Sequence, residues 1–139
     1  MGKDFFSWKD SYSVLIKEID DQHKVLIQII NDLYKAFMDK EHASKIDEII
    51  GRMVDYASMH FTTEEDYFEK FGYEKAKEHI TEHEKFIETV YNFRYDYKNN
   101  KTALTYEVLS FLQKWLTNHI MISDKKYSNL FQENGLEQY

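Results

Sequence analysis

The sequence predicts an all-α fold: an up-down-up-down four-helix bundle with an N-terminal arm and a short C-terminal helix. Three observations predict it. The 139 residues contain no proline and only four glycines, so little in the chain interrupts a helix. Apolar residues recur at steps of three and four along four stretches, as one buried face of a helix requires. Short polar turns separate these stretches, which makes consecutive helices antiparallel neighbours. A chain of this length suits one domain with a sizeable core, here residues 1–139, divided into an arm (1–19), a bundle (20–121) and a tail (122–139).

Residues 1 to about 19 lack helical periodicity but carry Phe5, Phe6, Trp8 and Tyr12, which suits an arm packed across the body. Asp20 is placed to cap the first helix, with Asp21 in its first turn. The stripe His23, Leu26, Ile30, Leu33 and Phe37 defines that helix to about residue 39. Ser44 with Asp47 resembles a capping box with a shorter acid. It opens a second helix over about 45–71, which Gly72 is placed to end. Gly51 lies inside this helix, where glycine costs about 1 kcal/mol against alanine, so close packing is its expected reason. A third helix over about 74–97 turns Ala76, His79, Ile80, His83, Ile87 and Val90 inward. Asn99 and Asn100 mark the next turn, and Thr102 is a candidate cap. The fourth helix shows Val108, Leu112, Trp115 or Leu116, and His119 and ends near 121, with a tail helix expected over about 124–132.

Composition excludes several functions. Without cysteine there are no disulfides, thiolate zinc sites, cysteine-ligated clusters or thioether-attached haem. No apolar run approaches the roughly 20 residues of a membrane span, and no basic-then-apolar leader opens the chain. A formal net charge of −7 argues against nucleic acid and anionic membranes as partners. A cytoplasmic protein, with the monomer favoured, is the expectation.

Each helix nevertheless places a histidine on its apolar face. His23 opens the first, His60 and Glu64 close the second, His79 and His83 open the third, and His119 closes the fourth. In an up-down-up-down bundle these positions share one end. His60/Glu64 and His79/His83 are i, i+4 pairs, which project from one side of a helix. Asp124 follows His119 by five residues, which α-helical geometry swings off the face; a π-type turn or a break returns it. A lone histidine on an apolar face is ordinarily a hydrogen-bonded core residue. Five from four helices, with two carboxylates, make a poor dry core and a good metal site. His42 reads as a surface residue of a turn, and Glu65, Glu82 and Glu84 as a solvated face.

IDDQHKVLIQIINDL, HFTTEEDYF, HITEHEKF and WLTNHIMISDKKY together resemble the hemerythrins, single-domain bacteriohemerythrins in particular, over nearly the whole chain. Departures are small: Glu74 stands where a proline is common, and Leu15 where the arm often has glycine. The resemblance implies a non-haem di-iron cofactor, two Fe ions with an oxo or hydroxo bridge, that binds O2 reversibly for transport, storage or sensing. It implies His79, His83 and His119 on one iron, His23 and His60 on the other, and Glu64 and Asp124 bridging. It further implies an O2 pocket walled by Leu26, Phe61, Trp115, Leu116 and Met121. Tyr127, one turn beyond Asp124, is a candidate partner of a ligand. A redox or O2-using protein is the partner such a role would call for. The alternative is a di-iron enzyme: an oxidase, a peroxidase or a nitric-oxide-handling protein. Five neutral imidazoles and two carboxylates offer less support to high-valent iron than a carboxylate-rich set, which favours O2 binding over enzymatic turnover.

Overall fold

The computed structural model describes residues 4–136; the outermost ends of the arm and tail expected from the sequence lie outside them. The architecture is the expected four-helix bundle: α1 (Lys17–Met38), α2 (Ala43–Phe71), α3 (Ala76–Lys98) and α4 (Tyr106–Asn118). A π-helical turn (His119–Ser123), a 3-10 turn (Asp124–Tyr127) and α5 (Ser128–Glu133) follow. Helix α1 packs against α2 and α4, and α2 against α3. No helix among the described residues is long and apolar enough to cross a membrane.

The caps differ from expectation. Asp20 lies inside α1, fully buried, rather than at its start. Its carboxylate serves the arm instead, accepting the Val14 N–H at 2.9 Å and the Ser13 hydroxyl at 2.5 Å. Thus the first helix begins four residues earlier than a cap at Asp20 implies, its observed cap being Ile16. Ser44 and Asp47 form no capping box, because α2 already begins at Ala43. Asp47 instead accepts from Arg94 Nε at 2.9 Å, and that bond holds its carboxyl below the ordinary range. The same guanidinium explains Gly51: a Cβ there would come within 2.7 Å of Arg94 Nη2. The cap of α4 is Thr105, not Thr102; its hydroxyl accepts from the Val108 N–H at 3.3 Å. Gly72 ends α2 in the left-handed region at φ +66°, as expected.

The arm crosses the bundle and is fastened along its length. Phe5 stacks on Tyr34 with ring centroids 4.6 Å apart. Asn31 accepts from the Phe6 N–H at 2.8 Å and donates to the Phe6 carbonyl at 2.7 Å. Farther along, the Ser128 hydroxyl donates to the Val14 carbonyl at 2.6 Å, tying arm to tail. Leu15 directly follows the last of these fastenings, at φ +64° and 53% exposed. A non-glycine residue in that region carries about 1–2 kcal/mol of strain, partly offset by the roughly 0.5–1 kcal/mol of extra chain entropy that glycine loses on folding. Leu15→Gly should therefore raise stability modestly, by about 0.5–1 kcal/mol. Urea denaturation checks this: a higher midpoint at unchanged slope is expected, and a lower one would show that Leu15 packs usefully.

Two apolar clusters fill the interior. The larger runs through the bundle and includes Leu26, Ile30, Leu33, Ile50, Met53, Phe61, Leu109, Leu116 and Ile120. The smaller joins Val14, Ile16 and Ile19 from the arm and α1 to Phe68, Tyr127 and Phe131. His83 stacks on Phe61 of the larger cluster with centroids 3.8 Å apart, while His79 meets Phe68 and Tyr127 of the smaller at 4.8 and 5.7 Å. The histidines thus lie as a polar layer between two dry ones.

Candidate metal centre

Five histidines and two carboxylates meet in that layer: His23, His60, Glu64, His79, His83, His119 and Asp124 are all buried, each no more than 4% exposed. Asp124 reaches it through the π turn, in which its backbone N–H bonds to the His119 carbonyl five residues back. That widened turn is the irregularity the five-residue spacing called for.

The donor atoms form two groups, each with its members within 4.8 Å of one another. One comprises Glu64, His79, His83, His119 and Asp124; the other comprises His23, His60, Glu64 and Asp124. The carboxylates are common to both. Within the first group, His79 Nε2 and His83 Nε2 each lie 3.1 Å from His119 Nε2. Asp124 Oδ1 is 2.8 Å from His79 Nε2 and 3.1 Å from His119 Nε2, and Glu64 Oε1 is 3.4 Å from His83 Nε2. In the second, Asp124 Oδ2 is 2.9 Å from His23 Nε2, and Glu64 Oε1 is 3.0 Å from His60 Nε2.

These approaches are poorly served by hydrogen bonds. Both oxygens of Glu64 and of Asp124, and Nε2 of His23 and His60, find no hydrogen-bond partner of acceptable geometry among the described residues. Donor atoms that converge without hydrogen-bond partners are satisfied by protons or by a cation placed among them. The imidazole tautomers agree. His60 Nδ1 contacts Gln22 Oε1 at 2.6 Å, and His83 Nδ1 contacts Glu65 Oε2 at 2.8 Å. Each Nδ1 must donate there, which leaves Nε2 of the neutral ring bare and facing the layer.

Charge in the layer is strongly perturbed. Burial and Asp124 would raise the Glu64 carboxyl, but His60 and His83 outweigh them and hold it at about 2. Burial likewise opposes the Asp124 anion, yet His119, His23 and His79 hold its pKa well below the ordinary value. Burial disfavours a charged His119, and Asp124 with Glu64 and Glu82 overcomes this, raising it to about 9. The metal-free layer therefore keeps its anions by recruiting protons, for which a cation is the natural substitute.

Aromatic rings fix the imidazole planes. Besides Phe61 on His83, Trp115 stacks on His119 at 4.6 Å with a 12° interplanar angle. Phe61 also lies 5.7 Å from the His60 ring, so it borders both groups. Leu26, Phe61 and Leu116 are buried in the larger cluster, and Trp115 is half-buried beside it. Met121 is 37% exposed at the edge of the π turn, while its neighbour Ile120 is fully buried. Tyr127 is fully buried, and burial with the charges of Asp124 and Glu64 pushes its phenol well above the ordinary value.

Sequence reasoning missed Gln22, Glu65 and Glu82. In sequence Glu65 directly follows Glu64, which places it on a solvated face of its own helix; its reach to His83 crosses from α2 to α3. Glu82 is half-exposed, yet it accepts from the Ser123 hydroxyl at 2.8 Å and lies 3.9 Å from His119 Nδ1. No single-helix periodicity signals contacts of this kind. His42 and Glu84 are exposed as expected.

Residues 14–131 match the family model described as the hemerythrin HHE cation binding domain. The chain is 35% identical over 128 residues to a bacteriohemerythrin of Clostridium acetobutylicum, covering 88% of this chain and 98% of that protein. It is 38% identical over 120 residues to a bacteriohemerythrin of Pseudomonas aeruginosa, covering 86% of this chain and 77% of the relative. A crystal structure of wild-type hemerythrin superposes with a TM-score of 0.85 at 26% identity, over 91% of this chain and 97% of the other. By sequence, by fold and by the matched span, the chain belongs to the hemerythrin family.

Proposed function

We propose that the chain binds O2 reversibly at a non-haem di-iron centre held by His23, His60, Glu64, His79, His83, His119 and Asp124. The observation that carries this reading is the pair of donor groups sharing Glu64 and Asp124: one layer offers two adjacent cation positions joined by two carboxylates. Borderline imidazole nitrogens with a minority of carboxylate oxygens suit ferrous iron. Two ferrous ions side by side supply the two electrons that reversible O2 binding draws on.

The chain's own residues do the rest. The first group brings three histidines and the second only two, so the second leaves more room for an incoming ligand. Leu26, Phe61, Leu116 and Ile120 present apolar surface that keeps water from that room, and Trp115 closes it on the α4 side. Met121, at the exposed edge of the turn, contributes less to the seal than the buried Ile120. Burial and the charges of Asp124 and Glu64 keep the Tyr127 phenol protonated, and its hydroxyl has no hydrogen-bond partner among the described residues. A carrier, store or sensor of O2 fits this arrangement. The members of the family named above share the cation-binding domain, and their likeness supports the same reading.

Protein produced in iron-replete cells should hold two irons per chain. Its reduced form should gain a ligand-to-iron charge-transfer band in air and lose it under argon. One zinc per chain, or a spectrum indifferent to O2, would overturn the reading.

A further inference from the structure

The two donor groups are backed by different chemistry. Behind the three-histidine group stand carboxylates. His83 Nδ1 donates to Glu65 Oε2 at 2.8 Å; Glu82, held by the Ser123 hydroxyl, lies 3.9 Å from His119 Nδ1, near enough to act by charge but not as a hydrogen-bond partner. Behind the two-histidine group stands a neutral amide: His60 Nδ1 donates to Gln22 Oε1 at 2.6 Å. Nδ1 of His23, fully buried, has no hydrogen-bond partner among the described residues. Gln22 itself is oriented from the far side, where its Nε2 approaches Thr63 Oγ1 at 3.5 Å.

An imidazole that donates to a carboxylate gains electron density at its other nitrogen and becomes a stronger ligand; one that donates to an amide gains much less. Resting on the metal-binding reading above, we propose that Glu65 and Gln22 are positioning residues that set unequal affinities in the two halves of the centre. The half made by His79, His83 and His119 fills first and holds its metal tightly. The half made by His23 and His60 fills second and releases first. Glu65 acts through one hydrogen bond, its side chain 32% exposed, so its anion is partly screened by solvent while the bond itself persists. Gln22 acts by omission, since it orients His60 without adding charge. Gln22 and Glu65 lie on different helices, α1 and α2, and neither belongs to either donor group, so the two settings are separable.

The test is an anaerobic calorimetric titration of the metal-free full chain with Co2+. Two binding events of different affinity are expected. His23→Ala should remove the weaker event and keep the tighter, which identifies the halves. Glu65→Gln keeps an acceptor for the His83 N–H and removes only the charge; it should weaken the tighter event by about tenfold and leave the weaker one alone. Gln22→Glu adds the missing charge and should strengthen the weaker event by about tenfold. A gain of affinity is an effect that mere disruption cannot imitate, so this variant decides the matter even where Glu65→Gln folds poorly. Unchanged affinities in both variants, or equal shifts of both events, would overturn the proposal. Failure of the parent chain to bind Co2+ at all would overturn the metal-binding reading itself, a result distinguishable from binding with unshifted affinities.

Discussion

Glu64→Ala should lose both metals together. Glu64 is common to the two donor groups, with Oε1 toward His60 and His83 and Oε2 toward His79. Its removal strips an anionic donor from each position and leaves Asp124 as the only carboxylate between them. Changes to residues that merely orient a ligand cost about 10–100-fold in metal affinity, so loss of a shared ligand should exceed that at both positions. His119→Ala makes the contrast, since His119 belongs to the three-histidine group alone. It should leave the two-histidine group able to hold one metal weakly. Iron analysis after dialysis of both variants distinguishes the outcomes. A Glu64→Ala protein that retained two irons and bound O2 normally would show that the bridge has been assigned to the wrong residue.

Removing the metal should lower the melting temperature by roughly 10–20 °C, the second large effect. A ligand present at about a thousand times its dissociation constant stabilises the fold that binds it by about 4 kcal/mol, and a domain of this size shifts by roughly 3–5 °C per kcal/mol. The loss should be uneven. In the metal-free protein, the buried anions and imidazoles separate the large apolar cluster from the small one. The small cluster unites the arm, Phe68 and the tail, and it has few residues of its own to resist opening. Hydrogen exchange should therefore accelerate first in residues 119–133, while α1 and α2 near Ile30 and Ile50 stay protected. Equal melting temperatures with and without metal would argue against a buried, pre-organised centre.

Much of this structure was legible in the sequence because the information was periodic. The helices announced themselves by apolar stripes, and Gly72 by the need for a left-handed residue after a long helix. The convergence of the buried histidines and Glu64 was legible because they interrupted those stripes with polar groups, and that of Asp124 because its spacing from His119 broke the helical count. What escaped was whatever depends on one helix reaching another. Asp20 looks like a cap until the arm is seen folded onto it. Asp47 looks like half of a capping box until Arg94 arrives from α3. Glu65 and Gln22 lie off the ligand face of their own helices and matter only through histidines on α3 and α2. The burial of Ile120 beside a partly exposed Met121 follows from the π turn, a difference of one residue that spacing alone does not resolve.

The π turn also gives the chain an unequal tolerance for changes of length. Five residues there occupy the span that four would fill in an α-helix, so the segment carries one residue of slack. Its surplus faces solvent, with Ile122 60% exposed. Deleting Ile122 would let the backbone relax to ordinary α-helix and leave histidine and aspartate four apart, the spacing that His60 and Glu64 already use on α2. The residues beyond it, Tyr127 and Phe131 among them, would keep roughly their facing. The equivalent deletion between His60 and Glu64 has no such slack to absorb it. It would turn Phe68 and Gly72 by about 100° about the helix axis and pull the end of α2 out of the smaller cluster. Of the two histidine–carboxylate pairs, only the one spanning the π turn has a residue to spare.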